Sequence, residues 1–184
     1  GRVNGSGKHN NYALCTNTGI NLLDPGDTPR ENAQFLLFLS AVIQAVDDYQ
    51  DLLRIAVASP GNDHRLGGYE APPAIISIFL GDELNQIIES IVNERAYASP
   101  GRTQMRLGVH VLPKFPKDST DRNRTSPFAF TGNKFEFRSL GSSASISAPN
   151  VMLNTAIAES LRIYADELEN APDFTSALNA LIRR

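Results

Sequence analysis

Two short segments in which phenylalanine alternates with other residues constrain the fold of this chain most strongly. Residues 128–130 read Phe-Ala-Phe and residues 135–138 read Phe-Glu-Phe-Arg, so both have the two-residue period of a β-strand. The four residues between them, Thr-Gly-Asn-Lys at 131–134, are of types that form turns. The pattern therefore predicts a β-hairpin with its phenylalanines packed on a core.

Upstream of this hairpin, apolar residues recur at the three- and four-residue steps of an amphipathic helix. Thr28, Pro29 and Glu31 have the spacing of a helix N-cap, a proline in the first turn and a capping box. The spacing predicts one helix from this point to about Ala58. Residues 59–73 are rich in Gly and Pro, and we expect them to form a loop.

The other elements are predicted from the same two periods, together with turn residues. In chain order they are a buried strand over residues 74–80, a helix from Asp82 to about Ala96, a half-buried strand near residues 105–111, a loop over residues 114–124, and C-terminal helices from Pro149 with a break at Ala171 and Pro172. The first 32 residues contain loop-forming types and room for one strand. This order predicts an α+β fold with an antiparallel sheet and flanking helices.

Charge is unevenly distributed along the chain. The 184 residues include 17 basic and 20 acidic side chains, for a net charge of -3, but residues 114–138 contain six basic and three acidic ones. A cationic strip in an acidic protein favours a local anionic ligand over long nucleic acid. A solvated loop and hairpin face explains the same strip equally well.

The cysteine count and the apolar runs bear on the compartment. Cys15 is the single cysteine, so no disulfide forms within the chain and a reducing compartment is expected. No apolar run is long enough to cross a bilayer, and the N-terminal residues lack a secretory signal pattern. We therefore expect a cytoplasmic protein with no membrane or nucleic-acid partner. Because the sequence begins at Gly1 without a methionine, we also expect a fragment.

Two segments combine residue types that bind metals and anions. His9 follows a Gly-rich stretch and is either a metal ligand or a hydrogen-bonded structural residue. On the predicted hairpin strand, Lys134, Glu136 and Arg138 share one face, so a carboxylate lies between two cations. Such a group can hold a divalent metal and a phosphate, whereas the alternative is a salt-bridge ladder on an exposed strand.

Two further loops contain candidate residues. Arg122 and Arg124 place two guanidinium groups just before the hairpin, and guanidinium binds phosphate through two hydrogen bonds. Residues 63–72 combine Arg65, a Gly-Gly pair and Glu70 ahead of the predicted strand. This segment is either a mobile lid in which Glu70 accepts a proton or an ordinary flexible connector.

Taken in order, these motifs resemble the catalytic domain of glutamine synthetase, and specifically its type III branch. The resemblance is carried by Asn-Gly-Ser-Gly-Lys-His-Asn-Asn at residues 4–11, Gly-Asn-Asp-His-Arg-Leu-Gly at 61–67, Glu-Ala-Pro at 70–72 and the run from Asp121 to Arg138. It extends from residue 1 to at least Asn150. Each motif is weak alone, but the ordered set is specific.

The resemblance implies ATP-dependent joining of ammonium to L-glutamate through a γ-glutamyl phosphate, with Mg²⁺ or Mn²⁺ bound. The roles that it implies are metal binding for His9 and Glu136, glutamate binding for Asn4, Gly5, Arg65, Glu70 and Arg138, ATP binding for Asn11, Arg122, Arg124 and Lys134, and catalysis for Glu70, Arg65 and Arg124. Family relatives assemble into rings, so the resemblance also implies a homo-oligomer.

Several features depart from the family pattern. Ala13 and Ala129 stand where a Ser and an Arg are usual, the spacing from Arg65 to Glu70 is one residue short, and residues 81–117 read as an insertion ahead of C-terminal helices at 150–184. The family's upstream metal-binding glutamates are not among these 184 residues, so we expect the isolated chain to be inactive. The alternatives left open are a ligase for another amine, a non-catalytic scaffold or nitrogen sensor, and a simple anion-binding module.

Overall fold

A computed structural model of the chain describes residues 6–69, 71–93 and 126–184, together with the backbone alone of residues 104–105 and 115–116. Strands and helices combine in an α+β fold, as predicted. The strands are β1 (Gly7–Tyr12), β2 (Ile78–Phe79), β3 (Gln104–Met105), β4 (Phe115–Pro116), β5 (Phe128–Phe130) and β6 (Phe135–Gly141). The helices are α1 (Ala33–Asp48), α2 (Gln50–Ala56), α3 (Pro60–Arg65), α4 (Asp82–Val92), α5 (Ser147–Glu169) and α6 (Phe174–Arg183).

Four of the strands form one mixed sheet in the spatial order β1-β6-β5-β2. Both β1 and β5 lie antiparallel to β6, in agreement with the predicted antiparallel arrangement. However, β2 pairs parallel with β5, so the sheet is not antiparallel throughout. A parallel pair needs a long crossover connection, which residues 80–127 provide. β3 and β4 pair separately with each other.

The predicted hairpin is confirmed in its register and its turn. Phe128 pairs with Phe137 and Phe130 pairs with Phe135. The turn is closed by the backbone N–H of Thr131, which donates to the carbonyl of Lys134 at 2.8 Å. Gly132 within it has a φ of 90°, a left-handed conformation that glycine adopts without steric cost. Local turn chemistry therefore suffices to specify this element.

The aromatic face of the hairpin packs against helices. The rings of Phe128 and Phe135 stack at a centroid distance of 4.7 Å, and Phe130 meets Phe35 of α1 at 5.9 Å. Leu153 and Ile157 of α5 belong to the same buried cluster, which places α5 beside α1 on this face of the sheet. The phenylalanines therefore face the core, and the intervening residues of β6 face the other way.

The start of the first long helix differs from the prediction. Thr28 makes no side-chain cap; instead it precedes a single 3₁₀ turn at Pro29–Glu31. The cap of α1 is Asn32, whose side chain accepts a hydrogen bond from the backbone N–H of Phe35 at 3.0 Å. The side-chain amide of Asn32 also donates to the carbonyls of Asp24 and Pro25, so contacts with the preceding loop select this cap.

The end of that helix and the loop after it also differ. The predicted helix breaks at Tyr49 into α1 and α2, which directs Leu53 of α2 into the core. Residues 59–73, predicted as a loop, contain the one-and-a-half-turn helix α3. Ser59 caps α3 by accepting from the N–H of Asn62 at 3.3 Å, and Pro60 occupies its first position. A Ser-Pro pair is a helix start signal that the glycine content of this segment obscured.

The remaining boundaries are close to those predicted. The strand predicted over residues 74–80 is confined to β2, and α4 begins at Asp82 with Gly81 as its cap and ends at Val92. The predicted strand near residues 105–111 and the predicted loop at 114–124 lie mostly outside the described residues, apart from the backbone of β3 and β4. α5 begins at Ser147 rather than Pro149, and the predicted break precedes α6.

Among the helices that the structure describes, none is both long and apolar enough to cross a bilayer.

The two candidate caps allow a matched test of helix initiation. We expect Asn32→Ala to lower the free energy of unfolding by about 1 kcal/mol, because the N–H of Phe35 loses its acceptor. Thr28→Ala should change it by less than about 0.5 kcal/mol, since that side chain caps nothing. Urea denaturation of both variants, followed by circular dichroism, measures the difference. A larger loss for Thr28→Ala than for Asn32→Ala would contradict the assigned cap.

Candidate functional site

The carboxylate of Glu136 is the centre of a charged cluster on β6 and β1. Arg138 donates to its Oε2 from Nε at 3.2 Å and from Nη2 at 3.1 Å. The Nδ1 atom of His9 lies 3.3 Å from the same oxygen. Glu136 and Arg138 are only 7% and 3% exposed, whereas the side chain of His9 is 59% exposed. The cluster therefore combines a buried ion pair with an imidazole that ligands can reach.

A β-bulge in β6 sets the direction of these side chains. Leu140 pairs with Lys8, but Phe137 pairs with Asn10, so two residues of β6 oppose His9 alone. Phe137 and Leu140 are both fully buried, although they are three positions apart and a regular strand would place them on opposite faces. The extra residue thus directs the side chain of Leu140 into the core again, and bulges commonly change side-chain direction in this way.

Asn11 and Lys134 lie next to this cluster. Asn11 pairs with Glu136 across the β1–β6 ladder, and its side chain is exposed. Lys134 is half-buried in the turn immediately before β6. The structure thus brings His9, Asn11 and Glu136 together on adjoining strands. Whether Asn11 and Lys134 contact a nucleotide stays a prediction.

Arg65 lies behind the cluster, at the end of α3. Its Nη2 atom donates to the carbonyl of Leu140 at 3.0 Å and to that of Arg138 at 3.5 Å. The residue is 5% exposed, and burial lowers the pKa of its guanidinium from the ordinary value. Because these hydrogen bonds go to the main chain of β6, Arg65 supports the position of that strand. The predicted role of Arg65 in substrate binding is untested by them.

The loop around position 70 is closed by its own backbone. The N–H of Gly67 donates to the carbonyl of Pro72, and the N–H of Ala71 donates to that of Gly68, both at 2.9 Å. Tyr69 is 91% exposed and has a φ of 48°, a left-handed conformation that costs energy for a residue with a side chain. Glu70 itself, like Asn4, Gly5, Arg122 and Arg124, lies outside the described residues, so the predicted roles of all five stay predictions.

Polar residues that sequence reasoning did not single out hold β1 against the start of α5. Lys8 donates from Nζ to the carbonyl of Ala144 at 2.6 Å, and Asn10 donates to Oδ1 of Asn150 at 2.7 Å. The hydroxyl of Tyr12 donates to Oδ1 of Asn154 at 2.8 Å. These residues alternate with His9 and Asn11 along β1. The seam therefore leaves His9 and Asn11 on the face of β1 that lies beside Glu136, and no sequence signal pairs strand and helix residues so far apart.

The donor set fits part of a metal site. One imidazole nitrogen and one carboxylate oxygen 3.3 Å apart have a suitable separation for two ligands of one ion, since metal–ligand bonds of about 2.0–2.2 Å at octahedral or tetrahedral angles give about 2.8–3.6 Å. Within residues 6–69, 71–93 and 126–184, no three His, Cys, Asp or Glu side chains come together. His9 and Glu136 can thus contribute two ligands to an ion that needs others.

The chain was compared with known proteins. It is 61% identical over 166 residues to a type-3 glutamine synthetase of Dictyostelium discoideum. The matched stretch covers 90% of this chain and 23% of that relative. It is 63% identical over 134 residues to a glutamine synthetase of Butyrivibrio fibrisolvens, covering 73% of this chain and 19% of the relative. It is 53% identical over 165 residues to a glutamine synthetase of Bacteroides fragilis (strain YCH46), covering 88% of this chain and 23% of the relative.

The chain therefore spans about a fifth of the length of the curated relatives it matches. No family model matches it.

Burial of the Tyr12 hydroxyl at the β1–α5 seam makes the stability of the protein fall at alkaline pH. Burial raises the pKa of Tyr12 from 10.0 to about 12. Because the folded-state pKa is above the unfolded value, stability is retained below pH 10 and lost as the pH rises toward 12, at about 1.4 kcal/mol per pH unit. Tyr12→Phe should remove the part of this loss that Tyr12 contributes and leave the part due to Tyr164, whose pKa burial also raises. Urea denaturation of both proteins between pH 9 and 12 tests this, and identical pH dependences would contradict it.

Proposed function

The chain belongs to the glutamine synthetase family, and on that premise we propose that it forms part of the active site of an ATP-dependent ligase that joins ammonia to glutamate. The observation that carries the proposal is that His9 and Arg138 both lie within 3.3 Å of one carboxylate oxygen, Oε2 of Glu136. An exposed salt-bridge ladder, the alternative for this strand, would leave the carboxylate in solvent. Here the carboxylate is buried and paired.

We assign the binding of a divalent cation, Mg²⁺ or Mn²⁺, to His9 and Glu136. When bound, the ion neutralises charge on the oxygens of a transferring phosphoryl group. Arg138 fixes the orientation of the Glu136 carboxylate, because it donates two hydrogen bonds to one of its oxygens. The exposed side of the imidazole is the direction from which ATP and further ligands approach.

Arg138 has a second proposed task, the binding of a glutamate carboxylate. Its guanidinium is nearly fully buried, and a cation in such an environment interacts strongly with an anion that excludes water. The other proposed roles follow the family resemblance: Glu70 and Arg65 for glutamate and ammonium, and Arg124 with Lys134 for ATP phosphates. For Lys134 the support is its position in the turn that leads into β6.

The mechanism that we propose forms a γ-glutamyl phosphate. The γ-carboxylate oxygen of glutamate attacks the γ-phosphorus of ATP, and ADP leaves. Ammonia, after ammonium gives a proton to Glu70, then attacks the carbonyl carbon; the C–O bond to phosphate breaks, and the nitrogen loses one proton to the departing phosphate as the amide forms. Each step moves negative charge between oxygens, so the residues of this site act by orientation and by electrostatic stabilisation.

We also propose that the protein works as a homo-oligomer in the cytoplasm. The oligomer is supported by the family resemblance alone. The compartment is supported by the single, exposed Cys15 thiol, which is compatible with reducing conditions.

The proposal is tested with the full-length protein that contains this chain. We expect Mg²⁺-dependent formation of glutamine from ATP, glutamate and ammonium, at a higher rate than with methylamine or ethanolamine as acceptor. Glu136→Gln should lower kcat by more than about 100-fold, since loss of even an outer partner of a metal ligand typically costs roughly 10–100-fold. The amide N–H groups of the substituted side chain are donors, so they cannot accept hydrogen bonds from the guanidinium of Arg138.

Glu159→Gln is the matched control, because Glu159 forms an ion pair with Arg162 on the exposed face of α5. Its kcat should stay within about twofold of the unsubstituted protein, as expected of a surface pair. Coupled detection of ADP together with chromatographic detection of glutamine provides both measurements. Equal kcat values for Glu136→Gln and Glu159→Gln would contradict the assigned role, and a wild-type protein that uses another amine in preference would change the substrate.

The isolated chain gives a separate prediction. We expect no glutamine from residues 1–184 alone, because His9 and Glu136 supply only two protein ligands and the family's further metal-binding glutamates are not among these residues. The same coupled assay measures this. Turnover by the isolated chain would show that its own residues complete the metal site.

A further inference from the structure

We propose that Asn62 is a positioning residue of this site, whose side chain anchors the β6 bulge that directs Arg138 and Glu136 toward His9. The inference deepens the proposed function and rests on it for the activity measurement. It concerns a residue that the motifs above do not assign to any role, in a segment that the sequence predicted to be a loop. The evidence is a set of hydrogen bonds between α3 and the bulge.

Side chains of α3 donate to three consecutive carbonyl groups of β6. Asn62 donates from Nδ2 to the carbonyl of Ser139 at 2.7 Å. Arg65 donates from Nη2 to the carbonyls of Arg138 and Leu140 at 3.5 and 3.0 Å. These three residues are the bulge and its next neighbour. A bulge interrupts the regular ladder, so its geometry depends on partners outside the strand.

The Asn62 amide connects all parts of this arrangement. Its second Nδ2 hydrogen bond goes to the carbonyl of Val57 at 2.7 Å, just before α3 begins. Its Oδ1 accepts from Nε of Arg65 at 2.9 Å, which fixes the plane of the guanidinium. Asn62 is 5% exposed, so both donor hydrogens and the acceptor are used away from solvent. One amide therefore positions both the bulge and the arginine that supports it.

The surroundings leave this arrangement little freedom to shift. A Cβ atom on Gly7 would collide with the carbonyl of Leu140 and lie 2.7 Å from Nη1 of Arg65. A Cβ atom on Gly141 would be 3.6 Å from Oδ1 of Asn62, an ordinary contact. The amide and the guanidinium are thus packed between β1 and β6. Close packing on the Gly7 side limits where the guanidinium of Arg65, and with it the bulge that it supports, can lie.

Asn62 affects the site through the main chain of β6. Asn62 contacts neither His9 nor Glu136, but it fixes Ser139, the residue after Arg138. A small shift of the bulge moves the guanidinium that holds the Glu136 carboxylate, and catalytic arrangements tolerate only about 0.5 Å of such movement. Loss of Asn62 should therefore weaken metal binding and turnover without removing any group that contacts substrate.

The experiment compares two substitutions in the full-length protein. Asn62→Ala removes all three hydrogen bonds. Asn62→Asp preserves the volume and the acceptor for Arg65 but places an oxygen against the carbonyls of Ser139 and Val57, so it separates anchoring of the bulge from orientation of the arginine. Asn170→Ala is the matched control, because the amide of Asn170 also donates to a backbone carbonyl, at 2.7 Å, but does so at the exposed end of α5.

Three quantities are measured for each variant: kcat and KM for glutamine formation, the affinity for Mn²⁺ from the electron paramagnetic resonance signal of the free ion, and the thermal midpoint. The assays are run at a temperature well below the thermal midpoint of each variant. We expect both Asn62 substitutions to lower kcat and the affinity for Mn²⁺ by about 10- to 100-fold. Asn170→Ala should stay within about twofold in both. If Asn62→Ala does not fold, the isosteric Asn62→Asp still tests whether Asn62 positions the bulge.

A lowered thermal midpoint with kcat and Mn²⁺ affinity unchanged would overturn the proposal and leave Asn62 a purely structural residue. Retention of both quantities by Asn62→Asp would also overturn it, because orientation of Arg65 would then suffice. If the wild-type protein forms no glutamine, the proposed function fails, and the Mn²⁺ comparison still decides the role of Asn62. A wild-type protein that neither forms glutamine nor binds Mn²⁺ overturns both.

Discussion

Strand β6 must place aromatic rings on one face and a buried ion pair on the other, and the rest of the site depends on this division. Phe135 and Phe137 are fully buried in the core, while Glu136 and Arg138 hold each other on the opposite face. A buried carboxylate is tolerated only when its partners are in place, because desolvation of an unpaired charge costs several kcal/mol. The strand therefore cannot shift without a loss on both faces.

Each neighbour of β6 contributes to holding it in place. β5 stacks its rings on those of β6, β1 carries His9 alongside, and α3 binds the bulge from behind. β1 is itself tied to α5 through Asn10 and Tyr12. The side chains of Asn10, Tyr12 and Asn62 each have a hydrogen-bond partner within the protein, so these contacts hold the framework rigid as well as stabilising it. Rigid support of this kind suits a site that acts by orientation and electrostatics.

The helix boundaries illustrate how local signals compete. Thr28 and Asn32 are both acceptable caps, and Thr28 had the better spacing to an acidic residue. Asn32 caps α1 because its amide also bonds the carbonyls of Asp24 and Pro25, a contact that forms only after the loop has folded back. At α3 the local signal was correct but was overlooked. Ser59 and Pro60 start the helix, whereas the glycines beside them suggested a loop.

The sequence by itself determined the hairpin, the amphipathic helices, the α+β class and, through ordered motifs, the family. Those features depend on periodicity and turn chemistry within a few residues, so they can be derived without knowledge of the fold. Tertiary structure alone decided the parallel pairing of β2, the bulge after Arg138, the seam from β1 to α5 and the bonds of Asn62. These depend on hydrogen bonds between residues far apart in the chain, whose partners are set only when the sheet and helices pack.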